Sequence, residues 1–500
     1  LDRYFDGLDL KALYGDTFGG LMLGLGMGGT VTPVTPAPTL TSASLASVPW
    51  RATAITLTGT GIVTGATVDM SVDSGSTWTA CTSVVFGSST SITATTPVQT
   101  TNADASVVRF RVTNPDTQSG ILPGGNVTVF FQADFTALSV GGIAAGASGG
   151  SAFETSTGLR LSRASVATVQ TSDRLAVAVS SDVARIGQPS SSSIMRGLVL
   201  EETRTNYLTQ SRDMTNAAWS AGTATQTANY ATSPDGTTSA TRVNKTSGQF
   251  GNFQMSASPA TSRFAWSCWA KATDNVSSFG STFGGGDSIS FTEAVPVGPN
   301  WSRFTWADPA SILAGGGTYT IPVWNDTGAY DELVDFSQWE AGGFCTEAII
   351  SGASAGVRAD ERLWHPDLSK LAVGGVLRVG GRLLPKGANG DYSFTQYLFF
   401  IDSNNNATID TGGNVSVKLG GTTATFSTPI TWAATDLVEF FLECGDSVTT
   451  TLTTWINGGS PAAQTTTALA HVLSTGTIDL LCNGTSQQLS SWIQVLEVWP

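Results

Sequence analysis

Five hundred residues exceed what one hydrophobic core organises, so the chain is expected to divide into three or four domains. Only 12% of residues are charged and the net charge is −14, which excludes the clustered Lys and Arg of a nucleic-acid binder and disfavours docking on anionic lipid. No stretch approaches the roughly eighteen continuous apolar residues that insert into a bilayer. Ser, Thr, Asn and 56 Gly carry the polar balance, and they suit short strands and turns better than helices, so the expected class is all-β.

Five dispersed cysteines (Cys81, Cys268, Cys345, Cys444, Cys482) form no CxxC pair, and two histidines leave no zinc constellation. They are expected to be buried small hydrophobes of a chain folded in a reducing cytosol. Leu1-Asp2-Arg3 runs into a charged segment and not into an apolar leader, which fits cytosolic synthesis.

In chain order, residues 1–38 hold a short helix-compatible stretch, the Gly-rich GGLMLGLGMGGT and the Pro33-Val34-Thr35-Pro36-Ala37-Pro38 linker. Such a segment builds no core of its own; it reads as a docking peg or as a disordered terminus. Over residues 39–131, strand-length runs recur between turn signals. Val107-Val108-Arg109-Phe110-Arg111-Val112 alternates with period two and ends at the Asn114-Pro115-Asp116 turn. With Gly59-Thr60-Gly61, Gly65-Ala66-Thr67-Val68 and Ser91 to Pro97, this segment resembles an IPT/TIG-type immunoglobulin-like domain, which implies a spacer or binding module and no chemistry.

Residues 132–360 carry an ordered series: Leu161-Ser162-Arg163-Ala164-Ser165, then Gly197 to Leu208 (GLVLEETRTNYL), then Asn216-Ala217-Ala218-Trp219 and Ser233-Pro234-Asp235-Gly236. Phe264 to Ala272, Trp301 to Trp306, Phe336 to Gly342 and Arg358-Ala359-Asp360 complete it. The series resembles a recurrent module of bacteriophage tail-fibre and head-fibre proteins, an arm beside a jelly roll of the carbohydrate-binding-module kind; Ser162 and Trp339 depart from its usual residues. Residues 361–500 read as another sandwich, with strands at Val376–Val379, Tyr397–Ile401 and Leu437–Phe441, and an Asn457-Gly458 hairpin turn after Trp455. Ending on Trp499-Pro500, this part resembles the concanavalin-like domain that follows the same module. No tandem repeat signals a β-helix or propeller.

The expected fold is therefore a string of β-sandwiches: a docking segment (1–38), an Ig-like domain (39–131), a jelly roll with its arm (132–360) and a concanavalin-like sandwich (361–500). The resemblance implies a fibre or spike subunit of a phage or phage-like virion. It would be made in the host cytoplasm, act extracellularly, assemble as a homotrimer, and join other virion proteins through its N-terminal segment. Its ligand would be host surface polysaccharide, with no nucleic acid and no membrane insertion. The alternatives are a purely architectural capsid or tail decoration protein, and a capsule depolymerase.

Candidate chemistry narrows to few residues. His365 and His471 have no nucleophile elbow to serve. Glu201 and Glu202 are adjacent on a strand and point to opposite faces, so they do not address one glycosidic bond together; Glu202 with Arg204 reads as an ion pair. No enzyme is expected. Asp402, Asn404 and Asn406 alternate loosely as in a calcium loop but lack its Gly and closing Glu, so a polar hairpin turn is the better reading, with calcium as its rival. Fourteen Trp favour sugar stacking. Trp266 and Trp269 are expected on opposite faces of one strand, with at most one in the core, and Trp324, Trp432 and Trp455 are the carbohydrate-binding candidates.

Overall fold

A computed structural model describes residues 36–138, 141–145, 150–170, 176–187, 196–219, 224–245, 254–257, 263–273, 278–279, 282–283, 289–290, 295–296, 300–307, 319–322, 330–392, 395–434, 436–446, 448–469, 471–473, 475–483 and 489–500. Among these, the one α-helix is Ala152–Thr157, capped by the Ser151 hydroxyl and ended by Gly158 at φ 74°. Everything else regular is strand, apart from short 3-10 turns, and nearly all pairing is antiparallel. The chain is all-β, built from sandwich-like layers.

Two compact units divide the chain. The first holds two four-stranded sheets. One runs Thr39–Ala43, Ala54–Thr60, Ser91–Thr95, Thr82–Ser88; the other runs Thr79–Ala80, Thr67–Ser71, Arg109–Thr113, Ser119–Leu122. Alternation builds its core: Ile55, Leu57, Val68, Met70, Ile92, Phe110 and Val112 are buried, while their strand neighbours, Ser71 excepted, are not. Asn114 closes the predicted turn by donating from Nδ2 to the Gly61 carbonyl at 2.8 Å. Gly61 itself sits at φ 72°, where a side chain is disfavoured.

The second unit contains a ten-stranded sheet. Its strands are β1 (Ser47–Pro49), β2 (Thr128–Asp134), β3 (Gly141–Ala144), β4 (Val183–Gly187), β5 (Gly197–Leu200), β6 (Val376–Pro385), β7 (Val438–Gly445), β8 (Thr450–Ile456), β9 (Ala462–Thr466) and β10 (Ser491–Trp499). The main path is β3-β4-β5-β10-β6-β7-β8-β9. One edge of β10 serves two partners: β5 pairs its first half (Leu198 opposite Ile493) and β2 its second (Phe131 opposite Val498). A seven-stranded sheet runs Arg160–Ser162, Arg362–His365, Ile478–Leu480, Gln396–Asp402, Asn405–Ile409, Val415–Leu419, Thr422–Thr425. Both sheets draw strands from before and after residue 360, so the strands on either side of that position share the same layers.

Residues 225–341 supply a five-stranded sheet in the order Thr225–Thr232, Thr238–Lys245, Tyr330–Ala341, Phe264–Ala272, Ser302–Ala307. Here one expectation fails. Trp266 and Trp269 are both buried, at 3% and 1% exposure. Phe264–Ala272 lies inside this sheet and is covered on both faces, so opposite directions both lead into packed interior. Trp266 lies opposite Trp339, while Trp269 packs with Ala176, Phe336 and Ala348.

Charged residues from both sides of residue 360 meet in the interior. Arg185 Nη2 binds Glu361 at 2.5 Å and its Nη1 binds Glu201 at 2.7 Å; Arg163 binds Glu361 at 2.6 Å. Glu201 also receives Lys386 at 2.6 Å and Arg358 at 3.1 Å. All of these side chains are at most 2% exposed. Burial opposes the charged forms and lowers the pKa of Arg163 and Arg358, but the partners prevail at Arg185, Glu201 and Glu361. Arg185 is pushed above the usual arginine range, and Glu201 is held well below the usual carboxylate range by Arg358, Lys386 and Arg185. Glu202 pairs with Arg204, as expected, and both are buried. Four of the five cysteines are buried as well.

Candidate functional site

Strands β6, β7, β8 and β10 expose one face of the ten-stranded sheet and bury the other. In β7, Val438, Phe440, Leu442 and Cys444 point into the core, leaving Glu439, Phe441 and Glu443 outside. In β10, Leu496 and Val498 are buried, and Val495, Glu497 and Trp499 are half-buried on the outer side. Antiparallel pairing brings these outward residues into rows across the strands.

The first row runs Trp455, Glu439, Arg382, Val495. The second runs Thr453, Phe441, Gly380, Glu497, Gln132. The third includes Glu443, Arg378 and Trp499. Together they shape a cleft of about 520 Å³ whose wall includes Trp455, Phe441 and Trp499. That volume lies in the range of small-ligand sites. Trp455 and Trp499 stand at opposite corners, separated by roughly 14 Å across the strands and a similar distance along them, from standard sheet spacings.

Gly380 forms the floor between Phe441 and Glu497. A Cβ there would meet the Phe440 carbonyl oxygen at 3.4 Å and Phe441 Cδ2 at 3.6 Å, which is ordinary contact. The fold therefore does not demand glycine at 380, but any larger side chain would fill the trough. Its neighbour Gly381 points inward, and there a Cβ would lie 2.7 Å from Phe440 Cε1, so that glycine is required by packing.

The polar groups of the face are held in place. Arg382 Nε donates to Glu439 at 2.6 Å, and Arg378 Nε donates to Glu443 at 2.9 Å. Gln132 donates from Nε2 to Glu497 Oε1 at 2.6 Å and accepts from Arg51 Nη2 at 2.6 Å. The Trp499 indole stacks on Phe130 with ring centroids 3.9 Å apart and planes 8° from parallel, so one of its faces is already covered. A wall of aromatic surface with fixed donors and acceptors suits a polyhydroxylated ligand: the apolar face of a sugar ring stacks, and its hydroxyls hydrogen-bond.

The sequence candidates fall in different places. Trp455 lines the trough. Trp432 does not, and its nomination is corrected: it is 8% exposed, donates from Nε1 to the Gly387 carbonyl at 2.9 Å, and lines a small gap with Leu383 and Phe440 of one sheet and Leu398 and Ile409 of the other. The indole fills the space between layers instead of facing solvent. Trp324 lies outside the described residues.

Asp402, Asn404 and Asn406 form the hairpin turn between Gln396–Asp402 and Asn405–Ile409. Asp402 Oδ1 accepts from the Asn404 amide at 2.7 Å, its Oδ2 accepts from Asn405 Nδ2 at 2.9 Å, and its carbonyl accepts from Asn406 Nδ2 at 3.1 Å. The side chains thus serve the turn, and no cluster of three or more His, Cys, Asp or Glu able to hold a metal occurs among the described residues. His365 is buried and its pKa is pushed down to about 4, chiefly by burial.

Phe441, Trp499, Gly380, Arg382, Glu439, Glu497 and Gln132 escaped the sequence reading. The alternation in Val495-Leu496-Glu497-Val498-Trp499 was the available signal, since it puts Glu497 and Trp499 on one face.

No protein-family model and no curated protein matches the chain. Among solved structures, it is similar to the N-terminal CBM22-1–CBM22-2 tandem domain of Xyn10C from Paenibacillus barcinonensis. The TM-score is 0.23 and the identity 11%, over 58% of this chain and 96% of that one. A likeness at that score supports no argument about function.

Proposed function

We propose that this protein is a non-enzymatic adhesin, a subunit of a phage or phage-like virion appendage, and that it holds host surface polysaccharide in the trough of the ten-stranded sheet. The observation that carries the glycan reading is the open trough floored by Gly380, with Trp455 and Trp499 at opposite corners. The appendage reading is supported by the ordered motif series from Arg163 to Arg358 and its likeness to fibre-protein modules. The concanavalin-like and Ig-like identities, homotrimeric assembly, and virion docking through residues 1–38 belong to the same reading; residues 1–35 lie outside the described structure. Each trough need bind only weakly if several chains engage one surface together.

Retention of the full-length chain on purified host polysaccharide, with a reducing-end assay in parallel, tests this. Saturable binding that Trp455→Ala and Trp499→Ala each weaken at least about tenfold is expected, since aromatic anchors dominate such sites. Far-UV circular dichroism would confirm that both variants remain folded. Release of reducing ends, abolished by Glu439→Gln or Glu497→Gln, would replace the adhesin by a depolymerase. No binding even by multimerised protein would favour the architectural role.

A further inference from the structure

The charges on the trough face do not cancel. Arg378 is paired with Glu443, Arg382 with Glu439, and Arg51 lies 3.4 Å from Asp134. Glu497 is a fourth carboxylate on this face, and its direct partner is the neutral amide of Gln132. Three guanidinium groups therefore face four carboxylates, and among the described residues no cation pairs directly with Glu497. Its place matters: Glu497 lies directly across from Gly380, at the middle of the trough floor, where a bound chain comes closest to the backbone.

Resting on the glycan reading above, we propose that the trough takes a polysaccharide free of acidic groups, and that Glu497 sets this selectivity. A neutral sugar offers hydroxyl donors to Glu497 and to the outer carboxylate oxygens, and acceptors to the Arg378 and Arg382 guanidinium groups. A uronate or phosphate would be brought against Glu497 with the charge of every arginine of the face already balanced by a carboxylate. The like-charge repulsion would go uncompensated, in a chain whose net charge of −14 adds to it. Glu497 thus rejects ligands by charge, while the two tryptophans provide attraction that is indifferent to charge.

Matched polymers isolate the charge. Dextran, mannan and galactan, each beside its carboxymethylated form, would be titrated against the full-length protein and Glu497→Gln at low ionic strength. The expected result is that at least one neutral polymer binds, that its carboxymethylated form binds at least tenfold more weakly, and that Glu497→Gln narrows the ratio to under threefold. Rising salt would narrow it in the wild type for the same reason. Equal or tighter binding of the carboxymethylated form, or a ratio unchanged in Glu497→Gln, would overturn the selectivity and leave the trough as a glycan site. No binding to either member of any pair would overturn both.

Discussion

The same residue types serve two regions of the second unit in opposite ways. Around Arg185, guanidinium groups, carboxylates and Lys386 are sealed from water and paired with one another. Around Gly380, guanidinium groups, carboxylates and indoles stay partly wet and leave capacity unspent; the side chain of Arg382 is 49% exposed. Desolvation separates the two. A buried charge is costly unless every bond is made, so the interior cluster tolerates no loss of a member. A surface pair contributes little to stability, so the trough residues are at liberty to serve a ligand.

Arg185→Met is the sharpest way to break that contrast. It would leave Glu361 and Glu201 short of a partner in the interior, and about 3–5 kcal/mol of stability should disappear, read by chemical denaturation. A small effect, under about 1 kcal/mol, would mean that the cluster is not what ties the strands before residue 360 to those after it.

Acid probes the same interior from another side. The unfolded chain protonates His365 near pH 6.5, but the folded chain does so only near pH 4, because the ring is buried against Trp50 and Phe131. The unfolded state binds more protons between those values, so the contribution of His365 is complete above pH 6.5 and is lost as pH falls toward 4, by up to about 3 kcal/mol. Glu201 and Glu361, both held below the usual carboxylate range against their burial by neighbouring cations, extend the loss below pH 4.5. Stability curves of wild type and His365→Phe should diverge between pH 6.5 and 4; parallel curves would show that the ring does not titrate with folding.

How much of this was legible in the sequence follows from the period of a strand. Alternation announces which side chains share a face, and along Thr450–Ile456 it sets Trp455 on the side away from the core-facing Leu452 and Thr454. Alternation does not announce what covers the second face. Trp266 and Trp269 point opposite ways, as their spacing requires, and both end in the interior because packed layers lie on both sides of that strand. Trp432 misled for a related reason, since a residue in a loop has no period to read. The motif residues Arg163, Glu201, Arg204 and Arg358 were recognisable as a series. Their convergence depends on contacts between residues up to 198 positions apart, which local pattern cannot show. The trough was illegible for the same cause: its rows exist only once β10 lies between β2 and β6.

Arg382→Ala sharpens the comparison with the smallest expected stability change. Its pair with Glu439 is half in water, and such pairs are worth roughly 0.2–1 kcal/mol, so the denaturation midpoint should hardly move. Binding should respond out of proportion. The guanidinium lies in the row that joins Trp455 to Val495, where a sugar stacked on Trp455 would present its hydroxyls. Loss of that donor also frees the Glu439 carboxylate, adding a second uncompensated negative charge to the face. The variant should therefore bind a neutral polymer several-fold more weakly and discriminate against its carboxymethylated form more strongly than the wild type. A variant that loses stability in step with Arg185→Met while binding as before would reverse the roles assigned to the two regions.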